Sequence, residues 1–147
     1  MKRKSFILFL FTAAVLMTAC GGKKEKETAT AQSYRDGVYS AEVEPEEVGG
    51  AISLTITVSE GKITEVQMKN TDRNGKEKDE DYGKTDGKIT NPGLYKIAQQ
   101  SVEATAKFPQ LLIEAQTPDG VDAISGATLS YRACIKAANE ALEQAKK

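Results

Sequence analysis

Residues Ala51 to Ser59 alternate without a fault, with Ile52, Leu54, Ile56 and Val58 on one side and Ser53, Thr55, Thr57 and Ser59 on the other. A period of two sustained over that length means a strand with one buried face and one wet face. Such a strand belongs to an antiparallel sheet covered on one side only. Glu60-Gly61-Lys62 supplies a tight hairpin turn into Ile63 to Lys69. There the alternation slips, because Ile63 and Val66 have opposite parity, so a bulge or an early twist is expected. Upstream, Arg35-Asp36-Gly37 is a turn signal, and Val38 and Ser40 alternate with Tyr39, Ala41 and Val43 in a short strand. Residues 44–50 (EPEEVGG) read as a loop.

The second half of the chain changes character. Residues 70–90 are charged and Gly-rich with no periodicity, long for a structureless connection and so expected to be functional or mobile. Asp79 and Asp81 have the first spacing of a calcium loop. Gly83 then falls where a third oxygen ligand is needed and no closing Glu follows in register, which excludes that site. Asn91-Pro92-Gly93 opens a helix that carries Leu94, Ile97, Ala98, Ser101 and Val102 on one face and ends before Phe108-Pro109. Leu111 to Ile113 form a short apolar segment, read as a single helical turn, and Thr117-Pro118-Asp119-Gly120 is a turn. A last helix over about Leu129 to Ala145 aligns Tyr131, Cys134, Ile135, Ala138 and Leu142. Strands first and helices afterwards predict an α+β fold, a small antiparallel sheet with helices packed on it in a single domain.

That domain, residues 34–147, is preceded by segments of a different kind. Residues 1–19 have a basic start (Lys2, Arg3, Lys4) and an apolar run from Phe6 to Ala19, too short for a membrane span of about 20 residues. The run ends in Leu16-Met17-Thr18-Ala19-Cys20-Gly21, which looks like a bacterial lipobox. Its departure is Met17 where Leu is usual, three residues before the Cys. It marks residues 1–19 as a lipoprotein signal peptide and Cys20 as the lipidated residue, placing the chain on the extracytoplasmic face of a bacterial membrane. Residues 20–33 then comprise the lipidated Cys and a polar, charged, flexible tether. Of 20 Lys and Arg, three leave with the signal, so 17 face 21 Asp and Glu; such a balance without a clustered basic face argues against nucleic-acid binding. Once Cys20 is lipidated, Cys134 has no partner for a disulfide and reads as a small buried hydrophobe. The chain has no His, which excludes His-based triads, His metal sites and His proton shuttles. No metal site and no catalytic residue is assigned.

The chemistry concentrates in Asp122-Ala123-Ile124-Ser125-Gly126-Ala127-Thr128, set at the entry of the last helix. Two hydroxyls, a permissive glycine and the unpaired N–H groups of a helix start together suit a phosphate. The plain alternative is a helix entry capped by Ser125 or Thr128. The segment resembles the D-x-x-[ST]-G-A-T signature of the FMN-binding domain family, and every fixed position is present. That family occurs in peripheral subunits of sodium-pumping NADH:quinone reductases and Rnf-type complexes, and in exported electron-transfer lipoproteins. The resemblance extends to the Asp36-Gly37-Val38-Tyr39 start and the Gly61-Lys62-Ile63-Thr64-Glu65-Val66 hairpin, though only the signature is specific.

The resemblance implies that Thr128 carries FMN as a phosphodiester, attached by a separate flavin transferase that uses FAD and a metal ion. Asp122 is then recognised by the transferase or holds the turn, with an ordinary Asx-type turn as the simpler role. Ser125 caps the helix and bonds the phosphate, while Gly126 and Ala127 leave the backbone bare for close approach. Tyr82, Tyr95, Phe108 and Tyr131 are the aromatic candidates for the flavin ring. The implied function is a membrane-anchored electron carrier rather than a stand-alone enzyme, taking electrons from a quinone- or NADH-linked membrane donor to an outside acceptor. The alternatives are the flavin subunit of a dedicated extracytoplasmic reductase or respiratory complex, and a binding or surface-antigen lipoprotein that carries no flavin.

Overall fold

The computed structural model describes residues 34–44 and 49–146. The signal segment, Cys20, the tether and most of the loop at 44–50 lie outside the described residues. Three strands, β1 (Gly37–Val43), β2 (Ile52–Ser59) and β3 (Lys62–Asn70), form an antiparallel sheet in the order β1-β2-β3. Ile52, Leu54, Ile56 and Val58 are all buried on one face, as the alternation requires. The opposite face stays polar, with Ser40 and Thr55 hydroxyls 3.0 Å apart across the β1–β2 pair. Glu60 and Gly61 turn the β2–β3 hairpin with φ of 53° and 73°, the left-handed pair that matches strand twist. Immediately beyond the turn the register passes from Val58↔Ile63 to Thr57↔Glu65, leaving Thr64 as an extra residue. This bulge is why Ile63 and Val66, of opposite parity, are both buried.

Three helices follow: α1 (Pro92–Thr105), α2 (Phe108–Ala115) and α3 (Thr128–Glu143), with a 3-10 turn at Pro118–Gly120 between the last two. α3 covers β1 and β2, α2 covers β3, and α1 touches α3. The sheet-facing side of α3 is built from Ala133, Cys134, Ala137, Ala138, Ala141 and Leu142, all buried. Small side chains on that ridge let the helix lie close to the strands. Its C-terminal end is tied to the start of β1: Arg35 donates from its backbone N to Ala145 O (2.8 Å) and from Nη2 to Gln144 O (2.7 Å). Gln144 Nε2 in turn donates to Ser40 O (2.9 Å). These bonds satisfy carbonyls that a helix end leaves open.

Two expectations need correction. The apolar segment at 111–113 is part of an eight-residue helix, because Phe108 and Leu112 bury one turn apart and Pro109 sits in the first turn where it costs no hydrogen bond. The stripe on α1 is not core: only Ala104 and Thr105 are buried, while Leu94 and Ile97 remain 63% and 62% exposed. The N-terminal half of α1 instead supports the 71–90 segment. Tyr95 donates its hydroxyl to Glu80 O (2.8 Å), and Gln99 Nε2 donates to Asp79 O (3.1 Å) and Tyr82 O (2.8 Å). That segment folds on its own polar groups. Asp72 Oδ1 accepts from Asn74 N and Lys76 N, Asp79 Oδ1 accepts from Asp81 N, and bridges join Thr71 to Glu77 and Thr85 to Lys88. Side chains that close turns impose no hydrophobic period, which is why none was visible.

One polar residue joins the layers. Gln116, at φ 61° after α2, accepts from Ile63 N (2.9 Å) and donates to Ile63 O (2.9 Å), completing the free edge of β3. Gln116→Ala leaves both edge groups without their partner and is expected to destabilise by about 1–3 kcal/mol. Urea unfolding checks this, with Gln110→Ala, an exposed helical glutamine, as a control expected within about 0.5 kcal/mol of wild type.

Candidate functional site

The loop from Val121 to Ala127 runs from the 3-10 turn into α3. Its base is held from within: Val121 is buried, and its carbonyl accepts the Tyr131 hydroxyl at 2.7 Å from one turn into the helix. Ala127 is buried as the N-cap, Ala127 N bonds Ile124 O (3.2 Å), and Ile124 packs against the core. Gly126 takes φ 84°, and a Cβ there would meet nothing within 4 Å. The glycine is therefore required by backbone conformation, not by crowding. With Ile124 and Ala127 turned inward, Asp122, Ser125, Gly126 and Thr128 are exposed together in one short turn.

The expected cap is not formed. No side chain caps α3, so Ser125 does not play the capping role, and its hydroxyl is free for another partner. The first helical bond is Tyr131 N to Ala127 O (2.7 Å). Ahead of it, the N–H groups of Thr128, Leu129 and Ser130 meet no acceptor among the described residues. The first turn carries no acidic residue either. Three open donors at the positive end of a 16-residue helix, beside an exposed Thr128 hydroxyl, make a place for an anion.

The aromatic candidates separate. Phe108 is wholly buried in the core and cannot meet a ligand. Tyr131 and Tyr95 spend their hydroxyls on Val121 and Glu80. Tyr82 lies half-buried under the Lys78 ammonium, 5.1 Å from its ring centre. Lys78 is itself nearly buried, and desolvation pulls its pKa below the usual lysine value while the Asp72 charge pulls the other way. The large apolar side chains left bare are Val38 on β1, Ile89 ahead of α1, Leu94 and Ile97 on α1, and Leu129 (46% exposed) beside Thr128. Sequence periodicity put Leu94 and Ile97 on one face of the helix, as a buried stripe would be. Only their place on the projecting half of α1 shows otherwise.

Cys134 is a buried hydrophobe, its Sγ 3.7 Å from Met68 Sδ and its thiol pushed up to about 12 by burial. Among the described residues no group of three His, Cys, Asp or Glu side chains could hold a metal ion.

The model of the FMN-binding domain family matches residues 47–143, which span β2, β3, the three helices and the Asp122–Thr128 turn. The chain belongs to the FMN-binding domain family. It is accordingly a flavin-binding electron-transfer protein, with FMN as the cofactor. The fold has a solved counterpart. The CPE2226 protein from Clostridium perfringens is 30% identical with a TM-score of 0.60, over 76% of this chain and 88% of that one. A solution structure from Clostridium thermocellum is 28% identical, over 76% of this chain and 92% of that one, with a TM-score of 0.47. Comparison with curated proteins finds no match. The residues of this FMN-binding domain fit the cofactor: open N–H groups suit its phosphate, and the bare Leu129 side chain beside Thr128 suits its ring.

The turn's geometry has a measurable requirement. Gly126→Ala forces a Cβ into the left-handed region and is expected to cost about 1–2 kcal/mol in unfolding free energy. Gly126→Asn, whose side chain tolerates that region, is expected to cost less. Equal losses in the two variants would show that the left-handed turn is not what the glycine supplies.

Proposed function

We propose that this protein is a lipid-anchored extracytoplasmic electron carrier whose FMN is covalently bound through Thr128. The observation that carries the reading is the uncapped, exposed start of α3, with Thr128 as its first residue and three backbone donors unspent. A threonine hydroxyl is a weak nucleophile, and nothing in the turn is placed to activate it. The activation comes from a flavin transferase. Thr128 Oγ attacks the FMN-side phosphorus of FAD, the pyrophosphate bond breaks, AMP leaves, and the hydroxyl proton passes to the transferase. The product is a phosphodiester with one negative charge, favoured by about 0.3–1 kcal/mol at the helix start.

In this reading each residue has a task. The N–H groups of Leu129 and Ser130 and the Ser125 hydroxyl hold the phosphate oxygens. Gly126 and Ala127 present backbone without side-chain bulk. Asp122 is the transferase's recognition point. Leu129 offers an aliphatic surface for the flavin ring, and the ring supplies one- and two-electron redox chemistry when bound. Attachment through the phosphate leaves that ring unmodified. It also makes occupancy independent of free FMN outside the cytoplasm, where a dissociable cofactor would be lost.

The anchor rests on sequence alone: the basic start, the apolar run and Cys20. The described residues begin at Tyr34, and Arg35 beside it bonds the C-terminal end of α3. A 16-residue helix is about 24 Å long, so Thr128 lies at the opposite pole from the tether's entry. That polarity suits a carrier, since the redox end is directed away from its own attachment and can meet a quinone- or NADH-linked donor and then an outside acceptor.

Intact mass of the chain co-expressed with a flavin transferase tests the reading. Wild type is expected to gain the mass of FMN less one water and turn yellow, and Thr128→Ala to do neither. No gain, with the transferase shown active on another substrate, would leave an interaction module that carries no covalent flavin.

A further inference from the structure

Asn74-Gly75 is the single Asn-Gly pair in the chain, and it lies in the turn between the bridged residues Thr71 and Glu77. An asparagine followed by glycine has a reaction open to it that other asparagines largely lack. The next backbone nitrogen can attack the side-chain amide carbon, and a glycine offers no Cβ to obstruct the approach. Asn74 and Gly75 are both exposed. Among the described residues the Asn74 side-chain amide takes no hydrogen-bond partner. Gly75 holds φ 76° in open space, with nothing within 4 Å of where a Cβ would lie.

The other asparagines are closed to this reaction. Asn91 precedes Pro92, which has no N–H, and its Oδ1 caps Leu94 N (3.1 Å). Asn139 is inside α3, where the next nitrogen is committed to the helical ladder. Asn70 precedes Thr71, which is β-branched, buried and bonded through its N to Ala51 O (2.9 Å). At Asn74 the restraint is the turn itself. Gly75 N donates to Asp72 O (3.0 Å), and Asp72 Oδ1 accepts from Asn74 N (2.8 Å) and Lys76 N (3.0 Å). The attacking nitrogen is released when this turn opens, and exposed turns of few contacts open far more readily than a core. Asp72, which makes most of the turn's bonds, sets how often that happens.

We propose that Asn74 is a site of spontaneous deamidation, gated by Asp72, that remodels the turn as the protein ages. Hydroxide takes the Gly75 N–H proton, and the nitrogen attacks Asn74 Cγ. The Cγ–Nδ2 bond breaks, the nitrogen takes a proton from water and leaves as ammonia, and a five-membered succinimide remains. Water opens that ring at one carbonyl to give aspartate, or at the other to give isoaspartate. The net change is an amide and a water converted to an acid and ammonia, with no oxidant or reductant. Either product adds one negative charge to the segment. Isoaspartate also lengthens the backbone of the turn by one atom, and the bonds to Asp72 are spaced for the shorter chain. The Thr71–Glu77 bridge then loosens, and with it the neighbouring bond from Lys78 N to Asn70 O (2.8 Å). The reaction is independent of flavin.

The test ages the purified full chain in mildly alkaline buffer and follows it by intact mass and peptide mapping. Wild type is expected to gain the mass difference between an amide and an acid at residue 74, as separate aspartate and isoaspartate peptides. Asn74→Gln is expected to lose that gain, because its longer side chain has to close a six-membered ring. Asp72→Ala is expected to speed the reaction about five-fold, the effect of losing one net hydrogen bond from the turn. In the isoaspartate fraction the Lys78 amide is expected to exchange faster with deuterium. A folded wild type that keeps its amide, while the urea-unfolded chain loses it, overturns the proposal and shows that the turn shields the pair. A gain mapped to Asn70, Asn91 or Asn139 instead overturns it equally. An Asp72→Ala chain no faster than wild type overturns the part given to Asp72.

Discussion

The contact on which the molecule depends is the alanine ridge of α3 against the sheet. Ala133, Ala137, Ala138 and Ala141, with Cys134 and Leu142, are all buried against β1 and β2. Large side chains there would hold the helix off the strands. Alanines bring it down, and the close approach fixes where both ends of the helix lie. At one end Arg35 and Gln144 lock it to the start of β1. At the other, Tyr131 reaches back to Val121 and closes the signature turn from inside. Thr128 is exposed but rigidly sited, because everything behind it is packed.

The site uses what that packing leaves over. A helix start normally satisfies one of its open N–H groups with its own side chain; α3 does not, since Ala127 occupies the cap position and points inward. Leaving the donors unspent costs some stability in the free chain. It reserves them for a ligand that brings negative charge. An open set of donors around a single turn is the complement of a phosphate.

How much of this was legible beforehand differs by element. The alternation from Ile52 to Val58 and the parity slip between Ile63 and Val66 were enough to find the sheet, its hairpin and its bulge, because a strand's period is imposed by its buried face. The signature turn was equally plain, since Gly-Ala between two hydroxyls has little other use. Two things were not visible. The 71–90 segment folds through Asp72 and Asp79 side chains, which leave no periodic trace. Leu94 and Ile97 have a core residue's spacing, but half of α1 projects beyond the core.

The central claim is that the first-turn amides of α3 hold the phosphate attached at Thr128. The most direct measurement is the amide proton shift of Leu129 and Ser130 in the nitrogen-15 spectrum, before and after flavinylation. Charge-assisted bonds to a phosphodiester should move both resonances downfield, while the amides at the far end of α3, near Gln144, stay in place. If the Leu129 and Ser130 amides are unmoved in a chain carrying FMN, the phosphate lies elsewhere and the account of this turn is wrong.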